Sequence, residues 1–298
     1  MPCRLIAHLV WPLVLLAASC QGPAEHKQAS QKVPRPTSVS EKPQADSCGE
    51  ALAAIVQRGE LRVGMQVGYV PFQMRGSDGA IVGLDVDLAE MMARNLKVSL
   101  KIVPQTWQEL VPSLATRATD IAMSGMIVTP ERNIEVAFTM PVLETGRMFL
   151  VHVNNGDRLK KPEDLDQAGI FVVSWPGGLG QARITDVLPK ASFRQFPDRE
   201  RCLTEVIDKK AQAFIDDEFS IRLACATHPD KLVSNFKPVT YEQISWAVRP
   251  GDSHWLNWLD NFIRIIQKDG RLDELKKKWL QDYFLDMQAN GKRDYSAH

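Results

Sequence analysis

From residue 48 onward, short apolar or β-branched runs alternate with stretches whose apolar positions recur at helical spacing. The short runs predict strands at 61–67, 99–103, 120–124, 149–153, 170–174, 213–216 and 244–248. The helical spacing predicts helices at 88–96, 107–115, 179–188, 200–210 and 220–226. Such alternation argues for an α/β fold with mostly parallel sheets and helices on their faces. Helix starts are marked by Asp87 with Glu90, Thr106 with Glu109, and Thr129 before Pro130. Ser253 is expected to cap a helix whose Trp255, Leu259, Phe262 and Ile266 form one stripe, with Gly270 ending it. A last helix buries Leu272, Leu275 and Trp279. The chain falls into two similar halves, and the segments 149–153 and 244–248 are placed to cross between them.

The first 47 residues break this pattern. An apolar stretch at 9–18 follows Arg4 and ends in small residues before Cys20. It is too short for a membrane span but suits a signal peptide over 1–20, and the small residues before Cys20 resemble a lipobox. In that motif the cysteine is acylated and becomes the mature N-terminus, although Ala17 stands where Leu is preferred. Residues 21–47 are rich in Pro, Ser, Gln and Lys without apolar periodicity, and read as a flexible tether.

Composition narrows the function classes. Hydrophobic residues make up 44% and charged residues 24%, and the formal net charge is zero, so a nucleic-acid partner is not expected. The run Lys276-Lys277-Lys278 lies beside Asp273 and Glu274 and reads as a solvated helix face. The six histidines are scattered and no CxxC occurs, so neither a metal nor another cofactor is expected. An oxidising compartment permits one disulfide among Cys48, Cys202 and Cys225, and Cys202 with Cys225 is the pair most readily placed.

Candidate chemistry gathers where strands end. Ser124, Gly125 and Ile127 follow the strand at 120–124, where open α/β sheets bind ligands, and Gly125 permits close backbone approach. Arg132 stands in the first turn of the next helix, against the positive end of the dipole. An anion held by its planar guanidinium would explain that placement; pairing with Glu131 or Glu135 would explain it equally well. Asp217, after the apolar run 213–215, either caps the following helix or faces a cleft to receive an ammonium group. The loop Trp175 to Gln181 is either a tight turn or a set of N–H groups for an anion, and it is not a nucleotide loop. Tyr69, Phe72 and Trp107 are cleft walls or core.

In this order the segments LRVGMQVGYVPFQ, GLDVDLAEMMARNL, TWQELVPSLATRATDIAMSGMIVTPER, AFIDDE and DGRLDELKKKWL resemble the family-3 extracellular solute-binding proteins, the amino-acid receptors of bacterial ABC importers. The resemblance implies a type II periplasmic-binding fold: two lobes, a ligand cleft between them, and two crossover strands joining them. The expected arrangement is a first lobe over 48–150, a second over 151–243, a return to the first over 244–286, and a tail over 287–298. The resemblance further implies that Arg132 clamps a ligand carboxylate, helped by Ser124, Gly125 and Ile127. Asp217 then takes the α-amino group, Tyr69 and Trp107 wall the pocket, and Gly178, Gly180 and Gln181 complete the carboxylate site.

Some residues depart from the family pattern. Ile127 and Leu179 replace hydroxyl residues, and Gln66 stands where an acid is common, which disfavours a cationic side chain. The function implied is capture of a small amino acid by a monomer that closes at its hinge and delivers to an ABC permease. The place implied is extracytoplasmic, at a membrane through lipidated Cys20. The Pro-Gly-Gly loop also resembles cyclohexadienyl dehydratases on this fold, so a dehydratase-like enzyme is the alternative, and a sensory receptor is another.

Overall fold

The computed structural model describes residues 50–175, 185 and 188–290. The expected signal peptide, the tether, Cys20, Cys48 and the loop residues Gly178, Gly180 and Gln181 lie outside them.

The alternation seen in the sequence produces two five-stranded sheets. In the first, the order is Ser99–Pro104, Glu60–Met65, Ile121–Ala122, Ala247–Val248 and Ala137–Phe138. The first three strands are parallel, and Ala247–Val248 is antiparallel to both its neighbours. The second sheet repeats the plan as Ser192–Gln195, Phe171–Ser174, Ala213–Asp217, Arg147–His152 and Leu232–Val233. There Arg147–His152 is the strand antiparallel to both neighbours.

The crossing segments differ from those expected. A separate antiparallel pair, Leu143–Thr145 with Glu242–Ile244, joins the two sheets, while the run 149–153 falls within the second sheet. Each crossing strand runs directly into the antiparallel strand of the sheet it enters. Gly146 makes the first junction possible, because a Cβ there would lie 2.0 Å from the Thr240 carbonyl oxygen.

Packing follows burial. All six residues of Arg147–His152 are buried, since apolar clusters cover both faces of the second sheet. Leu150, Val173 and Phe214 meet Leu203 and Val206 on one face; Phe149, Val172 and Ile215 meet Leu165 and Leu188 on the other. The stripe Trp255, Leu259, Phe262 and Ile266 is buried against the first sheet as its spacing predicts. Helix Tyr283–Asn290 continues past position 286, with Met287 buried in the same core, so the chain remains packed beyond the expected start of the tail.

Several helix starts move. The helix expected from 88 begins at Leu84, because the Leu84 and Asp85 N–H groups donate to the carbonyls of Pro71 and Phe72. Tertiary carbonyls thus do what Asp87 was expected to do. Asp252, not Ser253, caps Ser253–Lys268 by accepting from Trp255 N–H at 3.0 Å. The Thr106–Glu109 device is present: the Glu109 carboxylate accepts from both the N–H and the hydroxyl of Thr106.

Cys202 and Cys225 are not joined as expected, and both are free thiols. They contribute to one apolar cluster from two different helices. Burial pushes each thiol up to about 12, so neither is the thiolate that coupling requires near neutrality.

Candidate functional site

Strand ends and helix starts bring the expected residues together on both sides of the crossing pair. On the first lobe, Arg132 Nη1 donates to the Ile127 carbonyl at 2.8 Å, and its guanidinium lies 5.3 Å from the Trp107 ring centroid. Thr129 Oγ1 accepts from the Arg132 N–H, so this hydroxyl marks the helix start as the sequence suggested. Arg132 joins no ion pair among the described residues, although the charge of the adjacent Glu131 acts on it. Burial and then the Arg147 cation pull the Arg132 pKa down, while Glu131 and Glu242 oppose them.

Gly125 adopts φ +62°, and a Cβ there would sit 2.4 Å from Tyr69 Cε1. Only glycine lets the turn pass beneath that ring. Tyr69 stacks on Phe72 at 4.9 Å, and Phe72 meets Phe219 of the second lobe edge-on at 4.9 Å. Ser124 is buried, and its hydroxyl accepts from Gln66 N–H at 2.9 Å and Gln73 Nε2 at 3.1 Å. It therefore braces the strand end from within, whereas the Gln66 side chain is exposed. Ile127 contributes its carbonyl to Arg132 and bridges to Ile244 of the crossing pair.

On the second lobe, Asp217 caps the following helix and also meets a side chain of the first lobe. Oδ1 accepts from the Ser220 N–H at 2.9 Å, which caps helix Glu218–Thr227, and from the Tyr69 hydroxyl at 3.0 Å, which reaches across from the first lobe. Oδ2 accepts from the Ser220 hydroxyl at 2.6 Å. Burial and then the Asp217 charge raise the Tyr69 pKa well above its ordinary value, so the phenol stays a donor.

Three residues absent from the sequence expectation complete the arrangement. Arg199 donates to Asp216 Oδ2 at 2.6 Å and Asp217 Oδ2 at 3.5 Å, and lies 4.9 Å from the Trp175 ring centroid. Arg147 reaches Asp216 Oδ1 at 3.5 Å and Glu242 Oε1 at 3.1 Å. Burial and then Asp217 raise the Asp216 pKa, while both arginines oppose the rise. Burial alone would lower the Arg199 pKa, but Asp216 and Asp217 outweigh it. Arg199 carried the same signal as Arg132, a cation in the first turn of a helix. Arg147 was signalled by a lone cation heading an apolar strand. Glu242 carried no local signal.

Arg132 stacked on Trp107, and Asp217 meeting Tyr69 from the other lobe, supply a cation, an anion and aromatic rings, a set that suits a small zwitterion. The chain belongs to the bacterial extracellular solute-binding proteins, family 3, whose model matches residues 61–282. It is 29% identical over 231 residues to the cyclohexadienyl dehydratase of Pseudomonas aeruginosa, covering 77% of this chain and 86% of that protein. It is 26% identical over 275 residues to the ABC transporter glutamine-binding protein GlnH of Bacillus subtilis, covering 90% and 93%. Among solved structures, a putative ABC transporter binding component from Wolinella succinogenes complexed with lysine is 36% identical. That match has a TM-score of 0.68 and covers 76% of this chain and 97% of that one. These relatives share the two-lobed fold with its cleft between lobes.

Proposed function

We propose that this protein captures a small amino acid outside the cytoplasm by closing its two lobes, and delivers it to an ABC permease. The observation that carries this reading is Arg132: stacked on Trp107, anchored on the Ile127 carbonyl, and in no ion pair among the described residues. A ligand α-carboxylate supplies its partner, and Asp217 accepts from the α-ammonium group on the opposite lobe. Gly178, Gly180 and Gln181 are assigned to the same site by the resemblance. Two buried ligand charges are tolerated only when both are paired, which selects zwitterions. Cys20, acylated, would hold the protein at the membrane surface; labelling with a fatty-acid analogue that disappears in Cys20→Ala tests the anchor.

The capture reading is tested by titration calorimetry against the twenty amino acids. For whichever amino acid binds, Arg132→Ala is expected to weaken binding at least about a hundredfold, since a stranded buried charge costs about 3 kcal/mol or more. Unchanged affinity overturns the assignment.

One observation favours a second reading. Asp216, next to Asp217, is a buried carboxyl with a raised pKa, the property a general acid needs. With a dehydratase among the relatives, incubation with prephenate and arogenate, followed by product analysis, separates turnover from stoichiometric capture.

A further inference from the structure

The C-terminal helix ties the lobes to each other rather than trailing from one of them. Lys277–Asp282 is wound as a π-helix, and its Lys278 ammonium and Trp279 indole both donate to Asp87 Oδ2 at 2.7 Å. Asp87 belongs to helix Leu84–Leu96, so this segment is pinned to the first lobe. Helix Tyr283–Asn290 follows directly and packs on helix Glu218–Thr227 of the second lobe. Its Phe284 and Met287 are buried.

The apolar pattern of Glu218–Thr227 is divided between the lobes. Ile221 and Ala224 join an apolar cluster of the second lobe. Phe219, Leu223 and Ala226 recur at i, i+4 and i+7, and join instead the first-lobe core that also holds Phe284 and Met287. One helix thus gives a face to each lobe. Its cap is Asp217, so whatever restrains this helix restrains the second lobe's residue at the candidate site.

We propose that Lys277–Asn290 is a strap between the lobes: pinned at Asp87, it holds helix Glu218–Thr227 by apolar contact, and opening of the cleft breaks that contact. The inference rests on the hinge closure of the capture reading and adds a connection to the two crossing strands. Apolar surface separated on opening is returned to water, so the strap biases the ligand-free protein toward the closed form. Apparent affinity scales with the population of the form that binds, so the strap also sets how tightly a ligand is held. The π-helical winding falls where the chain passes from one lobe to the other, and such winding is rare and frequent at functional joints.

The test uses the full chain, with small-angle scattering in the absence of ligand and calorimetry with whichever of the twenty amino acids the parent binds. Met287→Ala and Leu223→Ala, one on each helix, are each expected to enlarge the ligand-free radius of gyration and to weaken binding about tenfold. Because both act on one interface, the double variant is expected to weaken binding by less than the product of the two. Ile221→Val, on the other face of the same helix, is expected to lower the melting temperature while keeping the parent's radius and affinity. Leu223→Ala carries the test if Met287→Ala fails to fold. Parent-like radius and affinity in both strap variants, or equal changes in Ile221→Val, overturn the strap and leave the capture reading standing. A parent that binds none of the amino acids overturns capture, and the ligand-free radius then decides the strap by itself.

Discussion

Asp85 shows how one buried group sets a pH dependence for the whole molecule. It lies in the first turn of Leu84–Leu96, 2% exposed, and its Oδ2 has no hydrogen-bond partner among the described residues. Burial raises its pKa to about 7, against weaker opposition from the Trp246 indole and the Gly125 N–H that face it. The folded state therefore holds this proton more tightly than the unfolded chain, where the carboxyl titrates at 3.8. Its contribution to stability is complete below about pH 4 and is lost as pH rises to about 7. Three pH units correspond to at most about 4 kcal/mol. Asp85→Asn should thus be more stable than the parent at pH 8 and close to it at pH 4. Denaturant melts at the two pH values check this, and a constant difference would show that the carboxyl ionises in the fold as readily as in the unfolded chain. The residue stood within a motif of the sequence but gave no sign of its burial, because two carboxylates in a helix's first turn read alike until tertiary contacts separate them.

At the scale of elements, helix Glu218–Thr227 joins stability to binding through one residue. Asp217 caps it and also faces the opposite lobe. Asn caps as well as Asp does, and Asp216 still holds Arg199 at 2.6 Å, so Asp217→Asn should keep the helix while lowering the melting temperature through the lost Arg199 contact. The charge is lost, however, so amino-acid affinity should fall about tenfold or more while carboxylic acids lacking the amine keep theirs. Calorimetry with an amino acid and its desamino analogue separates the roles; equal losses would return Asp217 to capping alone. The sequence showed this helix because its cap and period are local. The amphipathic stripe of Ser253–Lys268 was legible for the same reason, since a 3.6-residue period needs no knowledge of the partner. The site was legible where a residue sits at an element boundary, as Arg132 and Asp217 do. It was illegible where a contact depends on pairing distant elements: Arg147 and Glu242, 95 positions apart, meet only once the crossing strands pair. The start at Leu84 was hidden likewise, as its first N–H groups are satisfied by carbonyls of a preceding loop.

The described residues form two copies of one sheet plan joined by an antiparallel pair of strands, so the proposed capture is a change in how the lobes meet. Among the described residues, the lobes meet at the candidate site through Phe72 against Phe219 and the Tyr69 hydroxyl on Asp217. The first is apolar and tolerant of small rotations; the second is directional and needs the two lobes held close together. A ligand that favours the closed state does so by differential affinity, and each closed-state contact adds to its residence time. Tyr69→Phe keeps the stack on Phe72 and removes only the hydrogen bond. A hydrogen bond to a charged group is worth about 1.5 kcal/mol or more, some tenfold in an equilibrium constant. Because encounter occurs in the open state, stopped-flow measurements should show the loss in the dissociation rate, with association unchanged. A slower association with normal dissociation would mean that Tyr69 guides the ligand into the open cleft rather than holding the lobes shut. Scattering decides further: the liganded variant should keep the compact radius of the liganded parent, because the hydrogen bond sets how long the closed state lasts, and Arg132, Asp217 and the hinge pair set its shape.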